Sequence, residues 1–98
     1  MNTSIVKKRY AEITDELYTI FSSKLEQYGT GMYEEQGWGF RRWGAFFNVR
    51  RKTLRLHQLT IRAADDTHAL EKLIDDYKDI ANYAIMAVQI LEDKDNGV

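Results

Sequence analysis

The chain of 98 residues contains no cysteine and no proline. Without cysteine there is no disulfide framework and no thiolate metal site, and a reducing compartment is permitted. The lack of proline in a folded chain of this length points to helices rather than a loop-rich β architecture. Also missing is any apolar run approaching the ~20 residues that a membrane span requires. No secretory leader is expected either, because Ser4 to Glu12 is already charged and helix-like. Neither sign of charge predominates: 14 Lys+Arg stand against 15 Asp+Glu, for a net charge of −1. A generic duplex-DNA binder is usually strongly basic, so nucleic acid is disfavoured as a partner. What is present is 44% hydrophobic, enough for one core in a single domain over 1–98. A lone domain of this size is only modestly stabilised and would gain from a partner subunit.

The periodicity predicts three helices, at about 3–27, 42–62 and 66–92, in an all-α, three-helix antiparallel bundle completed by homo-oligomerisation. In the first, Val6, Tyr10, Ile13, Leu17, Ile20, Phe21 and Lys24 share a face, behind a cap at Thr3 or Ser4. A Gly- and aromatic-rich connection, 28–41, follows. It is either a functional loop or a link whose aromatics cover the core. In the second helix Trp43, Phe46, Phe47, Val49, Leu54, Leu56 and Ile61 fill one broad sector, with Arg50, Thr53 and His57 in its middle. Arg51, Arg55, Gln58 and Arg62 form a separate polar stripe. Asp65 or Asp66 caps the third helix, whose expected core face is Leu70, Leu73, Ile74, Tyr77, Ala81, Ala84, Val88 and Leu91. Asp75, Asp79, Asn82 and Met86 lie opposite. Beyond Asn82 this helix is apolar almost all round, which suggests burial against another chain.

The near-neutral total conceals a strong segregation of charge. Residues 41–62 carry seven cations, six of them arginine, and no acid; residues 63–98 carry nine acids and three lysines. One reading is that the two helices pair and partly cancel, although exposed pairs contribute only ~0–1 kcal/mol each. The other is a polyanion site, because guanidinium groups fork onto phosphate oxygens. On that reading Arg41, Arg42, Arg50, Arg51, Lys52 and Arg55 neutralise phosphates. Trp38 and Trp43, with a neighbouring tyrosine such as Tyr28 or Tyr83, would stack a base. Asp75, Asp79 and Asn82 would orient the arginines or bond ribose and base edges. Asp75, Asp76 and Asp79 also crowd two turns of the last helix, and convergent carboxylates can hold a Mg²⁺ bound to a substrate phosphate. Asp76 and Asp79 are the candidate metal ligands; the competing reading is a solvated acidic face. His57 and His68 lack any triad or metal-ligand context.

Several of these residues carry a family resemblance. Lys24 with Tyr28-Gly29, Arg51-Lys52-x-x-Arg55-Leu56, Asp75/Asp76, Asp79 and Ile80-Ala81-Asn82-Tyr83-Ala84 together resemble the type-1 nucleotide-modification-associated domain. This is a small helical family frequent in phage genomes, and the resemblance covers roughly residues 20–91. More distantly, the layout is similar to the all-α nucleotide pyrophosphohydrolases of the MazG and dUTPase type. Those hold Mg²⁺ between two acidic helix motifs in a dimeric bundle. Asp76-x-x-Asp79 would stand in for the second motif, and only Glu12-x-x-Asp15 is available for the first.

The resemblance implies a phage protein, in the cytoplasm of a bacterial host, that captures a nucleotide second messenger and so counters host defence. Catalysis is not the preferred reading, because a complete set of metal carboxylates is not evident. Two alternatives stay open: a Mg²⁺-dependent nucleotide pyrophosphohydrolase or modification enzyme, and a basic-helix module for an acidic partner or nucleic acid.

Overall fold

Apolar periodicity and capping residues agree at the two long helices near the ends of the chain. In the computed structural model, which describes residues 1–31, 33 and 37–93, the protein is all-α, with no strand among the described residues. Helix α1 spans Thr3–Tyr28 and α2 spans Arg42–Thr53, preceded by a 3-10 turn at Trp38–Phe40. Helix α3 spans Leu56–Arg62 and α4 spans Thr67–Glu92. Among the described residues no helix is long and apolar enough to cross a membrane.

The caps set the helix starts. Asn2, not Thr3 or Ser4, caps α1: its Oδ1 accepts from the amides of Ser4 (2.8 Å) and Ile5 (3.3 Å). An Asn is as good an acceptor there as Ser or Thr, and it lies one residue earlier in extended backbone. Asp66 caps α4 in the same way, accepting from His68 (2.9 Å) and Ala69 (3.3 Å). The predicted middle helix is interrupted at Leu54–Arg55, with neither glycine nor proline responsible. The Thr53 hydroxyl takes the Arg50 carbonyl at 2.9 Å, and the Arg55 amide reaches Lys52 O at 3.4 Å. The ladder thus tightens from a four-residue step at Leu54 to a three-residue step at Arg55 without a helix-breaking residue.

The chain divides into two units, 1–32 and 33–98. In the first, Leu17 is the buried position of α1, with Ile13 and Phe21 one turn away half-buried. In the second, Trp38, Ala45, Leu59, Ala69 and Met86 form the buried apolar core, joined by buried Asn48 and Asp76.

Two faces come out opposite to expectation. Phe46, Phe47, Trp43, Leu54 and Ile61, predicted to face inward, are exposed. Leu70, Ile74, Tyr77, Ala84, Val88 and Leu91 are exposed too, with Leu73 and Ala81 half-buried, whereas Met86 from the opposite side is buried. Two acids of α4, Asp76 and Asp79, turn instead toward Arg55 and Lys52, and a helix set to make those pairs carries its apolar stripe outward.

Candidate functional site

The inner face of α2 is made of small and charged residues. Gly44, Ala45 and Asn48 are buried along it, and Lys52 follows one turn later. Gly44 permits a backbone-to-backbone approach. A Cβ there would fall well inside contact distance of the Gly37 carbonyl oxygen, and 3.1 Å from Trp38 Cα. That approach seats Trp38, which is 0% exposed, edge-on against Tyr83 (5.8 Å between ring centres) and Tyr33 (6.1 Å). Tyr33 in turn donates its hydroxyl to Gln89 Oε1 at 2.8 Å, and desolvation pushes its phenol above the ordinary pKa.

Asn48, a position that composition and periodicity do not mark, locks the same face. Its Nδ2 donates to Gly44 O (2.8 Å), and its Oδ1 accepts from Arg51 Nη2 (3.1 Å). A polar residue between Gly-Ala and Arg-Arg on one helix is the only signal that could have found it.

Two ion pairs join α2 and its exit to α4. Lys52 Nζ lies 3.1 Å from Asp79 Oδ2. Arg55 donates through Nε to Asp76 Oδ2 (3.1 Å) and through Nη2 to Asp76 Oδ1 (2.5 Å). The bidentate bond to Asp76, then its charge, holds the Arg55 guanidinium above its ordinary pKa against desolvation; Asp79 adds a smaller push in the same direction. Asp76 is 2% exposed while the Arg55 side chain is 54% exposed, so the acid is the buried partner. Residues 52 and 55 meet 79 and 76, an antiparallel register with one turn between rungs.

The same register continues to the far end of α4. There Arg41 Nη2 donates to Ile90 O (2.6 Å) and Asp93 O (3.0 Å). A cation over the last carbonyls of a helix is favoured by their exposed negative ends. Arg41 holds this position with φ 61°, a left-handed value that costs a non-glycine residue ~1–3 kcal/mol. Its buried Nε has no hydrogen-bond partner among the described residues.

The outer face of α2 has a different composition. Trp43, Phe46 and Phe47 are each more than half exposed and touch one another, with ring centres 5.6–6.5 Å apart. Arg50 follows Phe46 and Phe47 by four and three residues and precedes Leu54 by four, so helical geometry puts it amid this apolar patch. Arg50 is exposed and makes no ion pair with any described residue, and the same holds for Arg42 and Arg51.

Of the six predicted phosphate ligands, then, Lys52, Arg55 and Arg41 face α4, Arg42 and Arg50 face outward, and Arg51 is exposed but turned onto Asn48. Of the predicted base-stacking residues, Trp43 is on the outer face and Trp38 is in the core, with Tyr83 half-buried against it. Tyr28 ends α1 in the other unit and is exposed, Asn82 is half-buried on α4, and Asp75 is exposed. Asp76 and Asp79 are one turn apart, each engaged by a cation, and among the described residues no three His, Asp or Glu side chains gather as a metal set.

Comparison with protein-family models, curated proteins and solved structures finds no match for this chain.

Proposed function

We propose that the protein binds a nucleotide-type phosphorylated small molecule on the outer face of α2, within a helical bundle completed by self-association. The observation that carries this reading is Arg50: a guanidinium without an ion pair among the described residues, amid Trp43, Phe46, Phe47 and Leu54. Exposed aromatic rings offer stacking surface to a base, and arginine supplies forked donors to phosphate oxygens. Arg42 and Arg51 lie to either side on the helix wheel and extend the cationic surface. The resemblance of residues 20–91 to the nucleotide-modification-associated domain favours the same ligand class. It also favours a phage protein that sequesters a signalling nucleotide.

Capture is preferred to turnover because Asp76 and Asp79 already serve Arg55 and Lys52. A pyrophosphohydrolase would need those carboxylates on metal.

The test is calorimetric titration with a panel of nucleoside mono-, di- and triphosphates, cyclic nucleotides and dinucleotides, and inorganic phosphate as a control. At least one nucleotide should bind, and Arg50→Ala should weaken it tenfold or more, since a charge-assisted hydrogen bond contributes about 1.5–3 kcal/mol. Trp43→Ala should weaken it too, by an amount that depends on the base. A panel without binding, or an Arg50→Ala variant with undiminished affinity, overturns the reading.

A further inference from the structure

The outward stripe of α4 has a regular period. Leu70, Ile74, Tyr77, Ala81, Ala84, Val88 and Leu91 recur at alternating steps of four and three across three heptads. A surface helix serving one globular core follows a 3.6-residue period; a sustained 3.5-residue repeat is the pattern of a helix seam. The large members of this stripe, Leu70, Ile74, Tyr77, Val88 and Leu91, are 44–55% exposed. The helix fixes its other face through Asp76, Asp79 and Met86. The large side chains of the stripe therefore lie away from the Asp76 and Asp79 face that pairs α4 with α2.

We infer that this stripe is an isologous dimer interface, in which α4 packs antiparallel against α4 of a second copy of the chain. Three features select this occupant. The first is self-complementary size. With the two-fold axis midway between residues 80 and 81, Tyr77 of one copy meets Ala84 of the other and Leu70 meets Leu91, while Ile74 and Val88 fall within one residue of the same level. A bulky ring thus falls on a small residue and the ends close with aliphatic pairs, as two-fold symmetry requires. A parallel pair would set Tyr77 on Tyr77 and leave Ala84 facing Ala84.

The second is charge. Glu71, Lys72, Asp75 and Lys78 all lie in the first half of the helix, whereas residues 80–91 carry no charge. Antiparallel pairing puts the charged half beside the neutral half; parallel pairing brings each charge near its own copy, which destabilises. The third is area. Half-exposed side chains of this size release roughly 80–100 Å² each, so the seam buries about 1,000 Å² in both copies together. That matches the lower bound for a specific interface and suits a reversible dimer.

The full chain contains no cysteine, so single substitutions report geometry directly. Under mild oxidation Ala81→Cys should cross-link to a dimer, and Leu91→Cys should not, because antiparallel pairing places the two copies of residue 91 about 30 Å apart along the seam. Sedimentation velocity at high micromolar concentration should show the unsubstituted chain as a dimer. Ile74→Glu with Val88→Glu should render it monomeric, with helical circular dichroism unchanged because both positions are exposed. Three results would each overturn the inference: a monomeric unsubstituted chain, a charge-substituted variant that keeps its helicity and still dimerises, or a Leu91→Cys cross-link as efficient as that of Ala81→Cys. Nucleotide titration of the double variant reports on the outer face of α2 separately, so failure of one proposal is distinguishable from failure of the other.

Discussion

Gly44→Ala tests the packing of the second unit most directly. In an unconstrained helix the substitution should stabilise by up to ~1 kcal/mol, since alanine has the higher helix propensity. Here the new methyl would overlap the Gly37 carbonyl oxygen and stand 3.0 Å from Gly37 C and 3.1 Å from Trp38 Cα. All three atoms belong to backbone, and Gly37 is fixed at φ 78° by the turn it makes. Relief therefore requires the turn and α2 to move apart by about an ångström, which partly unseats the fully buried Trp38. Complete removal of a buried Trp costs ~3–5 kcal/mol, so a partial loss should cost about 2–3 kcal/mol. For a domain of this size that is roughly 10–20 °C in Tm. Urea unfolding followed by circular dichroism and tryptophan fluorescence measures it. Gly39→Ala is the control, because a Cβ there meets nothing within 4 Å. If Gly44→Ala proves as stable as the parent, the close approach of α2 to the Gly37–Trp38 turn is wrong.

Three further outcomes follow from the same contacts. Arg55→Ala should destabilise more than Asp76→Ala, because the half-exposed guanidinium can rehydrate whereas the buried carboxylate cannot. An orphaned buried acid costs about 3 kcal/mol, and equal losses in urea unfolding would contradict the assigned burial. Asp66→Ala should cost ~1 kcal/mol by removing the α4 cap, and Asp66→Asn should restore most of it, measured by the same transition. Tyr33, whose pKa is raised by desolvation, keeps its proton in the folded state above the pH at which the unfolded phenol ionises. Its contribution is thus complete below the usual phenol pKa of about 10 and declines as pH rises above it. Tyr33→Phe should flatten that alkaline loss in Tm-against-pH measurements, and an unchanged slope would assign it elsewhere.

The helices at either end of the chain were legible because apolar spacing and capping residues coincide there; Asp66 is an example. Their facing was not. Hydrophobic counting assigns Trp43, Phe46 and Phe47 inward, since no single-helix rule weighs an apolar patch against a pair of charged rungs on another element. The clue was the matched spacing of Lys52-x-x-Arg55 and Asp76-x-x-Asp79, visible only when the two helices are read together in opposite directions. The break after Thr53 escaped because no glycine or proline marks it, and the Thr53 hydroxyl bond to Arg50 O that accompanies it has a counterpart at Thr14 in the unbroken α1. As for the candidate site, the residue types pointed to anion chemistry. Their division into structural cations and outward cations needed the register of α2 on α4.

That division separates two kinds of constraint on one short rod. Substitutions at 44, 45, 48, 52 and 55 are limited by the fold they hold in place. Positions 42, 43, 46, 47 and 50 face away from those contacts and can be rewritten while the scaffold persists, whereas Arg51 is tied to the inner face through Asn48. Lineages of this protein would then diverge in what they grip long before they diverge in shape, and libraries randomised at those five positions would yield folded proteins with altered selectivity.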